Sequence, residues 1–425
     1  MKTPPLYALL ALLTVFSLAL SACGSAATNP IRQSNLRREK PNLQAADLRP
    51  LADGNNAFAF DLYQSMRGED GNLACSPFSI SLALAMTSAG ARGQTEAQMT
   101  QAMRFLPQAE LHPAFNALDQ VIESVPSSSD KDQEPMQLNV ANAVWTEQTL
   151  PLESAFLDTL ALHYGAGIHQ SDFVNQPEAV RKEINTWVSD ETREKIQNLL
   201  GENAISPFTR MILVNAIYFK ADWLDQFDAN DTSDGPFHLL DGSEVQVPIM
   251  RQEMDIPYAA GDGWQMVELP YAGGTAAMDI LVPDEGRFDE IETSLDFETA
   301  SAMWNGLAPA NVALGLPKFK VESSFSLAEQ LADLGMPDAF DPGLADFSGM
   351  TGNRDLFIGQ VIHKAYVAVD EEGTEAAAAT AVIMELAMAR IADISLTVDR
   401  PFIYIIRDLQ TGQILFMGRV LNPAQ

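Results

Sequence analysis

Apolar and polar positions recur with a helical period early in the chain and with a strand period later. Phe58, Leu62 and Met66 lie four residues apart, and residues 178–200 carry a stripe of apolar side chains along one helical face. Alternating runs typical of strands follow at 245–250, 264–269, 278–282 and 312–321. Helices that gather early and strands that gather late predict an α+β domain built on large sheets, without repeating β-α units.

Two further segments predict strands of different kinds. Residues 211–219 are apolar apart from Asn215, which indicates a central strand covered on both faces and obliges Asn215 to find hydrogen-bond partners. Residues 361–370 alternate strictly, which predicts a strand with one buried face, and His363 lies on that face. A lone histidine on a buried face is usually a hydrogen-bonded core residue, so we predict no chemistry for it.

The next segment, 371–388, satisfies two conflicting structural preferences. Gly373 can take a positive φ and reverse the chain, and the alanines that follow favour a helix or an exposed loop. With a strand period, however, the even-numbered positions from Thr374 to Val382 are uncharged, and Glu375 falls on the opposite face. A segment that fits both as a loop and as a strand is what a conformational switch needs. We call residues 371–380 the hinge, namely Glu371, Glu372, Gly373, Thr374, Glu375, Ala376, Ala377, Ala378, Ala379 and Thr380.

The charge of the chain argues against nucleic acid as a partner. Its 57 acidic residues outnumber its 26 basic residues, which gives a net charge of -31. Motifs for a serine hydrolase, a zinc protease, a phosphate-binding loop and a Cys-x-x-Cys redox pair are all absent from the sequence. We therefore predict that the protein is not an enzyme and has no cofactor or metal site.

The N-terminus predicts export and lipidation. An apolar run from Leu6 to Leu20 follows Lys2, and small residues precede Cys23, which is typical of a secretory signal peptide and resembles a bacterial lipobox. We predict a lipoprotein signal peptide over 1–22; an ordinary signal peptide with cleavage nearby is the alternative. The protein would then be an extracytoplasmic, membrane-anchored lipoprotein of the cell surface or periplasm, or would be released.

A tether is predicted between the lipid anchor and the folded domain. Residues 23–51 contain the lipidated Cys23 and then prolines among polar and basic residues, with no apolar period, so we predict a disordered segment. If Cys23 carries lipid, only Cys75 remains, and no intramolecular disulfide can form. The domain that follows, 52–425, is long enough to be stabilised by a large core alone.

Several stretches resemble inhibitory members of the serpin family, in a bacterial lipoprotein form. The hinge resembles the start of their reactive-centre loop, and the resemblance extends over residues 52–425. The other matching stretches are 72–80, 213–220 with Trp223, 362–370 and 399–423. The resemblance implies a serpin fold, in which helices pack on large mixed or antiparallel sheets and a reactive-centre loop, here about 371–398, is exposed.

The resemblance also implies a mechanism, that of a suicide inhibitor. A target serine protease cleaves the loop and forms an acyl-enzyme, and the cut hinge then inserts into the main sheet and drags the protease with it. Family spacing, counted from Gly373, places the cleaved bond at Ala387–Met388. A small alanine suits elastase-like or subtilisin-like proteases, whereas the alternatives are Leu386 and Arg390, the latter for trypsin-like enzymes.

Family positions that hold the main sheet where it must part match Ser76, Ser79, Asn215 and His363, and the resemblance assigns these residues to the sheet-opening region. The expected partners are a target protease, in a covalent complex, and a membrane bound through the lipid. The protein should be a monomer. Two alternatives stay open, an inhibitor of papain-like cysteine proteases and a non-inhibitory carrier or chaperone, although the latter often has bulky, charged or proline residues in the hinge.

Overall fold

The structure, a computed structural model, describes residues 31–124, 136–374 and 392–425, apart from the side chains of Ala46 and Val140. The helices of this part of the chain are α1 (Arg49–Met66), α2 (Pro77–Ser88), α3 (Gly93–Ala102), α4 (Gln108–Glu123), α5 (Ser154–Tyr164), α6 (Pro177–Glu191), α7 (Phe288–Ser294), α8 (Phe297–Asn305), α9 (Ala328–Asp333) and α10 (Ser348–Thr351). Short 3₁₀ helices lie at Ala45–Leu48, Ala229–Asp231 and Pro337–Phe340.

The strands of the described residues form two sheets. They are β1 (Ile31–Arg32), β2 (Leu73–Cys75), β3 (Gln137–Glu147), β4 (Ile168–Ser171), β5 (Met211–Asp222), β6 (Ser233–His238), β7 (Glu244–Gly261), β8 (Trp264–Pro270), β9 (Ala276–Pro283), β10 (Ala308–Pro317), β11 (Phe319–Ser326), β12 (Gln360–Val369), β13 (Gly373–Thr374), β14 (Ile394–Thr397), β15 (Phe402–Asp408) and β16 (Ile414–Val420). Helices packed on large mixed sheets confirm the predicted α+β class.

The main sheet has the strand order β1-β4-β3-β5-β13-β12-β11. Its centre is a parallel pair, in which Gln360–Tyr366 of β12 faces Ile212–Tyr218 of β5. Beyond Tyr218 the two strands separate, and the two-residue strand β13 lies between them and pairs with both. We call this place the fork. It is the point at which the main sheet is already open.

The second sheet has the order β14-β10-β7-β8-β9-β15-β16-β2, and β6 pairs with the other part of β7. Its first strand, β14, runs parallel to β10 with Val312 opposite Ile394. Both described ends of the predicted reactive loop therefore lie in strands, β13 in the main sheet and β14 in the second sheet. Backbone hydrogen bonds in these two strands therefore hold the predicted loop, about 371–398, near both of its ends.

The central strand β5 is covered on both faces, which confirms the prediction from its apolar run. All its residues except Lys220 are buried. Leu213, Ile217 and Phe219 face the larger core, whereas Ile212 and Val214 belong to a second core beneath α6. Helix α6 therefore covers the outer face of the main sheet.

The predicted long helix over 178–200 is shorter in the structure. Helix α6 ends at Glu191, and Arg193 and Glu194 have φ values of 52° and 64°. The Thr192 side chain donates to the Val188 carbonyl and accepts from the Ile196 N–H, which redirects the chain. The apolar stripe continues to pack because Ile196, Leu199 and Leu200 stay in the core beneath α6.

The structure contradicts the predicted disorder over residues 31–51. Strand β1 pairs with β4, so that Ile31 lies opposite His169, and α1 already begins at Arg49. Between them the Arg38 guanidinium bonds Asp119 at 2.5 Å and the Asn116 side chain at 2.9 Å. We call residues 31–48 the N-terminal strap. The signal peptide and Cys23 lie outside the described residues.

Within the described residues no helix is long and apolar enough to cross a membrane.

Candidate functional site

The hinge enters the main sheet at the fork. Gly373 pairs with Asp222 and Thr374 with Ala221, both on β5, while Thr374 also lies opposite Val369 on β12. Gly373 does not need the positive φ that its sequence permits. Glycine is required at this position because a Cβ atom there would clash with the carbonyl oxygen of Ala221. The first residues of the hinge are thus already part of a three-stranded ladder.

Polar contacts hold Glu371 just before the fork. The Lys318 ammonium lies 2.6 Å from one carboxylate oxygen of Glu371, and the Thr232 hydroxyl donates to the other at 2.8 Å. The backbone N–H of Phe227 donates to the Glu371 carbonyl at 2.9 Å. Burial raises the pKa of the Glu371 carboxyl, but the hydrogen bonds from Lys318, Thr232 and the backbone, together with the charge of Lys318, outweigh burial, so that the pKa lies below its usual value. The carboxylate is therefore held in its charged form.

A stacked aromatic pair holds Glu372 and Thr374, two of the described hinge residues. The rings of Trp223 and Tyr271 are nearly parallel, with an interplanar angle of 8° and centroids 4.7 Å apart. The Trp223 indole N–H donates to the Asp370 carbonyl at 3.0 Å, and its backbone N–H donates to the Glu372 carbonyl at 2.8 Å. The Tyr271 hydroxyl lies 2.7 Å from the Thr374 hydroxyl. Together these contacts fasten the hinge at the open end of the sheet.

A second cluster of polar side chains lies below the fork, where β5 and β12 are still paired. His363 on β12 is in register with Asn215 on β5, and Asn142 on β3 is in register with Asn215 on its other side. The Asn215 amide donates to the Ser79 hydroxyl at 2.5 Å and to Asn142. The Ser76 hydroxyl, which caps α2, accepts from the Ser79 N–H. We call these five residues the sheet-opening cluster.

The hydrogen bonds of the cluster require a neutral His363. The Ser76 N–H donates to its Nε2 at 3.1 Å, so the proton lies on Nδ1, which faces the Asn215 side-chain oxygen. Burial lowers the pKa of His363 to about 3. The histidine thus bridges β12 to β5 and to the start of α2. It is a structural connector between strands that must separate for an insertion, and both of its ring nitrogens are used in these contacts.

The structure brings together every predicted sheet-opening residue, namely Ser76, Ser79, Asn215 and His363. Of the predicted hinge, Glu371–Thr374 lie at the fork, whereas residues 375–380 lie outside the described residues. The predicted reactive bond Ala387–Met388, its alternatives Leu386 and Arg390, and Cys23 also lie outside them.

The sequence reasoning missed four residues that hold these sites together. Asn142 lies on β3, and its position as the one polar residue in the apolar stretch 140–145 was the available signal. Lys318, Thr232 and Tyr271 carry no comparable signal, because each meets the hinge only through tertiary contacts. In the described residues no group of three or more His, Cys, Asp or Glu side chains is placed to hold a metal ion.

Comparison with known proteins assigns this architecture to a family. Residues 53–423 match the family described as Serpin (serine protease inhibitor). The leukocyte elastase inhibitor of Xenopus tropicalis is 39% identical over 382 residues, which cover 88% of this chain and 99% of that protein. An uncharacterised serpin-like protein of Thermococcus kodakarensis is 34% identical over 427 residues, covering 97% of this chain and 98% of that protein.

Solved structures agree with this assignment. The thermophilic serpin tengpin in its native state superposes with a TM-score of 0.80 at 28% identity, covering 92% of this chain and 97% of that chain. Thyroxine-binding globulin in complex with thyroxine has a TM-score of 0.78 at 29% identity, covering 88% of this chain and 99% of that chain. The chain belongs to the serpin family. It is a protease inhibitor and not an enzyme.

Proposed function

We propose that this serpin inhibits serine endopeptidases by inserting its cleaved reactive loop between β5 and β12. The observation that carries the proposal is the position of β13 in the fork, where Gly373 and Thr374 already pair with both strands. After cleavage, each further hinge residue would lengthen β13 by one position. The acyl-enzyme would be carried along and its active site distorted before deacylation.

Continuing the register of β13 gives each hinge residue a place in the inserted strand. Thr374 lies opposite Ala221 and Val369, so position 380, six residues on, would lie between Asn215 and His363. The small Thr380 would thus split the sheet-opening cluster at its centre. From Thr374 onward, the even-numbered hinge positions would share the core-facing side of Thr374, since side chains alternate along a strand. These positions carry no charged residue.

The opposite face of the inserted strand would lie beneath α6. By the same register Glu375, the first residue to extend β13, would face Lys220 on β5, so its carboxylate would meet a basic side chain. The next odd-numbered position, Ala377, would lie beside Tyr218 and Tyr366, which pair across the closed ladder. Alanines at these positions need little room under the helix, which supports insertion of this particular sequence.

The energy available follows from the ladders that break and form. Insertion would break the parallel pairing of Gln360–Tyr366 with Ile212–Tyr218. It would form two antiparallel ladders along β5 and β12. The net gain is about ten hydrogen bonds, or roughly 10 kcal/mol at about 1 kcal/mol each. Because the whole stability of a protease is only about 5–15 kcal/mol, this gain is enough to distort its active site.

The target class rests on the residue at the cleaved bond. We infer cleavage at Ala387–Met388 by an elastase-like or subtilisin-like protease, and relatives named leukocyte elastase inhibitors support this choice. Cleavage after Leu386 or Arg390 would indicate another specificity, and papain-like cysteine proteases are a further possible target class. A carrier role, for which thyroxine-binding globulin is the structural precedent, is disfavoured by the small, uncharged residues at the even-numbered positions 374–380.

Incubation with an elastase-like protease tests the proposal. We expect a covalent complex that survives boiling in detergent and a released C-terminal fragment that begins at Met388. Such a complex with a different fragment N-terminus would correct the cleaved bond only. Complete cleavage without any complex would show that the protein is a substrate or a carrier.

A pair of matched variants separates cleavage from insertion. Ala378→Arg places a charge on the core-facing side of the inserted strand, where burial of an unpaired charge is strongly unfavourable. We expect it to be cleaved normally and to form at least about tenfold less complex, since about 1.4 kcal/mol changes a partition tenfold. Ala389→Arg, the same substitution beyond the predicted bond, should leave trapping intact. Equal trapping by both variants would refute insertion.

We also propose that the protein is exported and held on a membrane by lipid on Cys23, as a monomer. The sequence before residue 24 supports this location. The mass of the protein purified from its native membrane tests it, because acyl chains on Cys23 add a defined increment that Cys23→Ser removes.

A further inference from the structure

A cavity of about 750 Å³ lies between α6 and the strands β3 and β4 at the edge of the main sheet. None of its lining residues belongs to the hinge or to the sheet-opening cluster. Its volume falls within the range of about 300–1,000 Å³ typical of small-molecule sites. The cavity is therefore a candidate ligand site, and its residues are separate from those of the proposed inhibition.

Three aromatic side chains from three elements form one wall of the cavity. The rings of Trp145 on β3 and His169 on β4 stack with centroids 4.2 Å apart, and Trp187 on α6 lies 5.3 Å from His169 and 6.0 Å from Trp145. Burial lowers the pKa of His169 to about 4, so the imidazole is neutral at physiological pH. A wall of neutral aromatic rings attracts organic cations through the electron-rich ring faces.

The charged groups that line the cavity are mainly acidic. Asp172, Glu183 and Asp190 line the cavity, whereas Lys182 is the only basic residue among the described lining residues. The Lys182 ammonium lies 3.6 Å from the carboxylate of Glu178, which balances its charge at the rim. The lining thus has an excess of negative charge beside the aromatic wall.

A buried hydrogen-bond donor in the aromatic wall indicates that the ligand should also carry an acceptor. The indole N–H of Trp145 is buried, and no hydrogen-bond partner is present for it in the described part of the chain. An unpaired buried donor costs about 1–3 kcal/mol, so a ligand oxygen that reached it would be favoured. The matching ligand combines a positive charge with a nearby oxygen acceptor.

We propose that the cavity between α6 and the β3–β4 edge binds a small organic ammonium compound that carries a hydroxyl or carbonyl oxygen. Choline is the simplest probe with this chemistry. Its cationic head group would lie against Trp187 and His169, with Glu183 and Asp190 as counter-charges. The neutral carbon isostere of choline, in which carbon replaces the ammonium nitrogen, has the same shape and lacks the charge.

Titration of the full chain with choline, followed by the NMR signals of its five tryptophan indoles, tests the proposal. We expect saturable shifts at Trp145 and Trp187 and no shifts at Trp223, Trp264 and Trp304. The neutral isostere should bind about fivefold more weakly, since a cation–aromatic contact contributes about 1 kcal/mol. No saturable shift, or equal affinity for the isostere, would overturn the proposal.

Matched variants locate the binding groups. Glu183→Gln and Trp187→Leu should each weaken choline binding about fivefold, because one removes a counter-charge and the other a ring. Asp234→Asn removes one exposed negative charge on β6 and should leave the affinity unchanged. If Asp234→Asn weakens binding as much as Glu183→Gln does, the effect is one of overall charge and the site is refuted. If Trp187→Leu fails to fold, the comparison of Glu183→Gln with Asp234→Asn still tests the site.

Discussion

His363 is held neutral inside the main sheet, and this protonation state is a condition of the closed sheet. Its side chain is fully buried and accepts the Ser76 N–H at 3.1 Å, so a second ring proton would displace that bond and place an unpaired charge between β5 and β12. Because the folded-state pKa of about 3 lies below the ordinary value of 6.5, the unfolded chain binds the proton more tightly. The stability that neutral His363 provides is complete above pH 6.5 and is lost as the pH falls towards 3.

The His363→Gln variant isolates this contribution. Wild-type protein should lose about 2 kcal/mol more unfolding free energy than the variant between pH 8 and pH 5, because glutamine does not titrate. Urea unfolding at the two pH values measures the difference. Burial also lowers the pKa values of His112 and His169, to about 4, and these groups act in the same direction in both proteins. His238→Gln, which replaces an exposed histidine, is the control and should keep the wild-type pH dependence. If His363→Gln loses as much unfolding free energy between pH 8 and pH 5 as the wild type does, buried His363 is not the cause.

At the scale of elements, the N-terminal strap ties the edge of the main sheet to the helices beside it. Strand β1 extends the sheet at β4, the Ser34 hydroxyl donates to Asp158 on α5 at 2.5 Å, and Arg38 bonds Asp119 on α4. Burial raises the pKa of Asp119, while the Arg38 guanidinium lowers it and so offsets part of the burial effect. The ion pair thus favours the charged form of a largely buried carboxylate.

Arg38→Ala should lower the free energy of unfolding by about 2–3 kcal/mol, because it leaves the buried Asp119 carboxylate without its counter-charge. Arg37→Ala is the matched control, since Arg37 is the neighbouring and exposed arginine. It should change the free energy of unfolding by less than about 0.5 kcal/mol. Urea unfolding of both variants measures the effects. Equal effects of the two substitutions would mean that the strap is not held as the structure describes.

The sequence pattern predicted neither the ordered strap nor the end of α6 at Glu191. A continuous apolar run predicted β5 and strict alternation predicted β12, because burial on both faces or on one face of a sheet leaves a pattern in the sequence. The strap binds through single polar contacts such as Arg38 with Asp119, which leave no period. The apolar stripe of α6 runs past the helix end because Ile196 stays buried in a chain that is no longer helical. The spacing of apolar residues therefore predicts which side chains are buried more reliably than it predicts the backbone conformation.

The functional residues show the same limit. Asn215 and His363 stand out in their strands because a polar side chain on an apolar face must be paired, and both proved to belong to one cluster. Nothing around Lys318 in the sequence indicates that it meets Glu371, and Gly373 was interpreted as a chain reversal when its use is a close backbone approach. Contacts between distant segments and backbone approaches require the folded chain.

At the scale of the whole molecule, the two sheets hold the reactive loop at its two ends. Strand β13 lies in the fork of the main sheet, and β14 pairs in parallel with β10 in the second sheet. The closed ladder between β5 and β12 continues directly below the fork, so further insertion must break it residue by residue. For inhibition by insertion, the intact loop must prevent the hinge from replacing the β5–β12 pairing, and cleavage must permit it. The native protein would then be metastable, and cutting the loop would release it.

The structure of the protein after cleavage of its loop tests this claim most directly. We predict that residues 375–383 then form a strand between β5 and β12, with Thr380 between Asn215 and His363 and the hydrogen bond between those two side chains broken. If the cut segment instead stays outside the sheet, and Gln360–Tyr366 remains paired with Ile212–Tyr218 as in the intact protein, the central claim is contradicted.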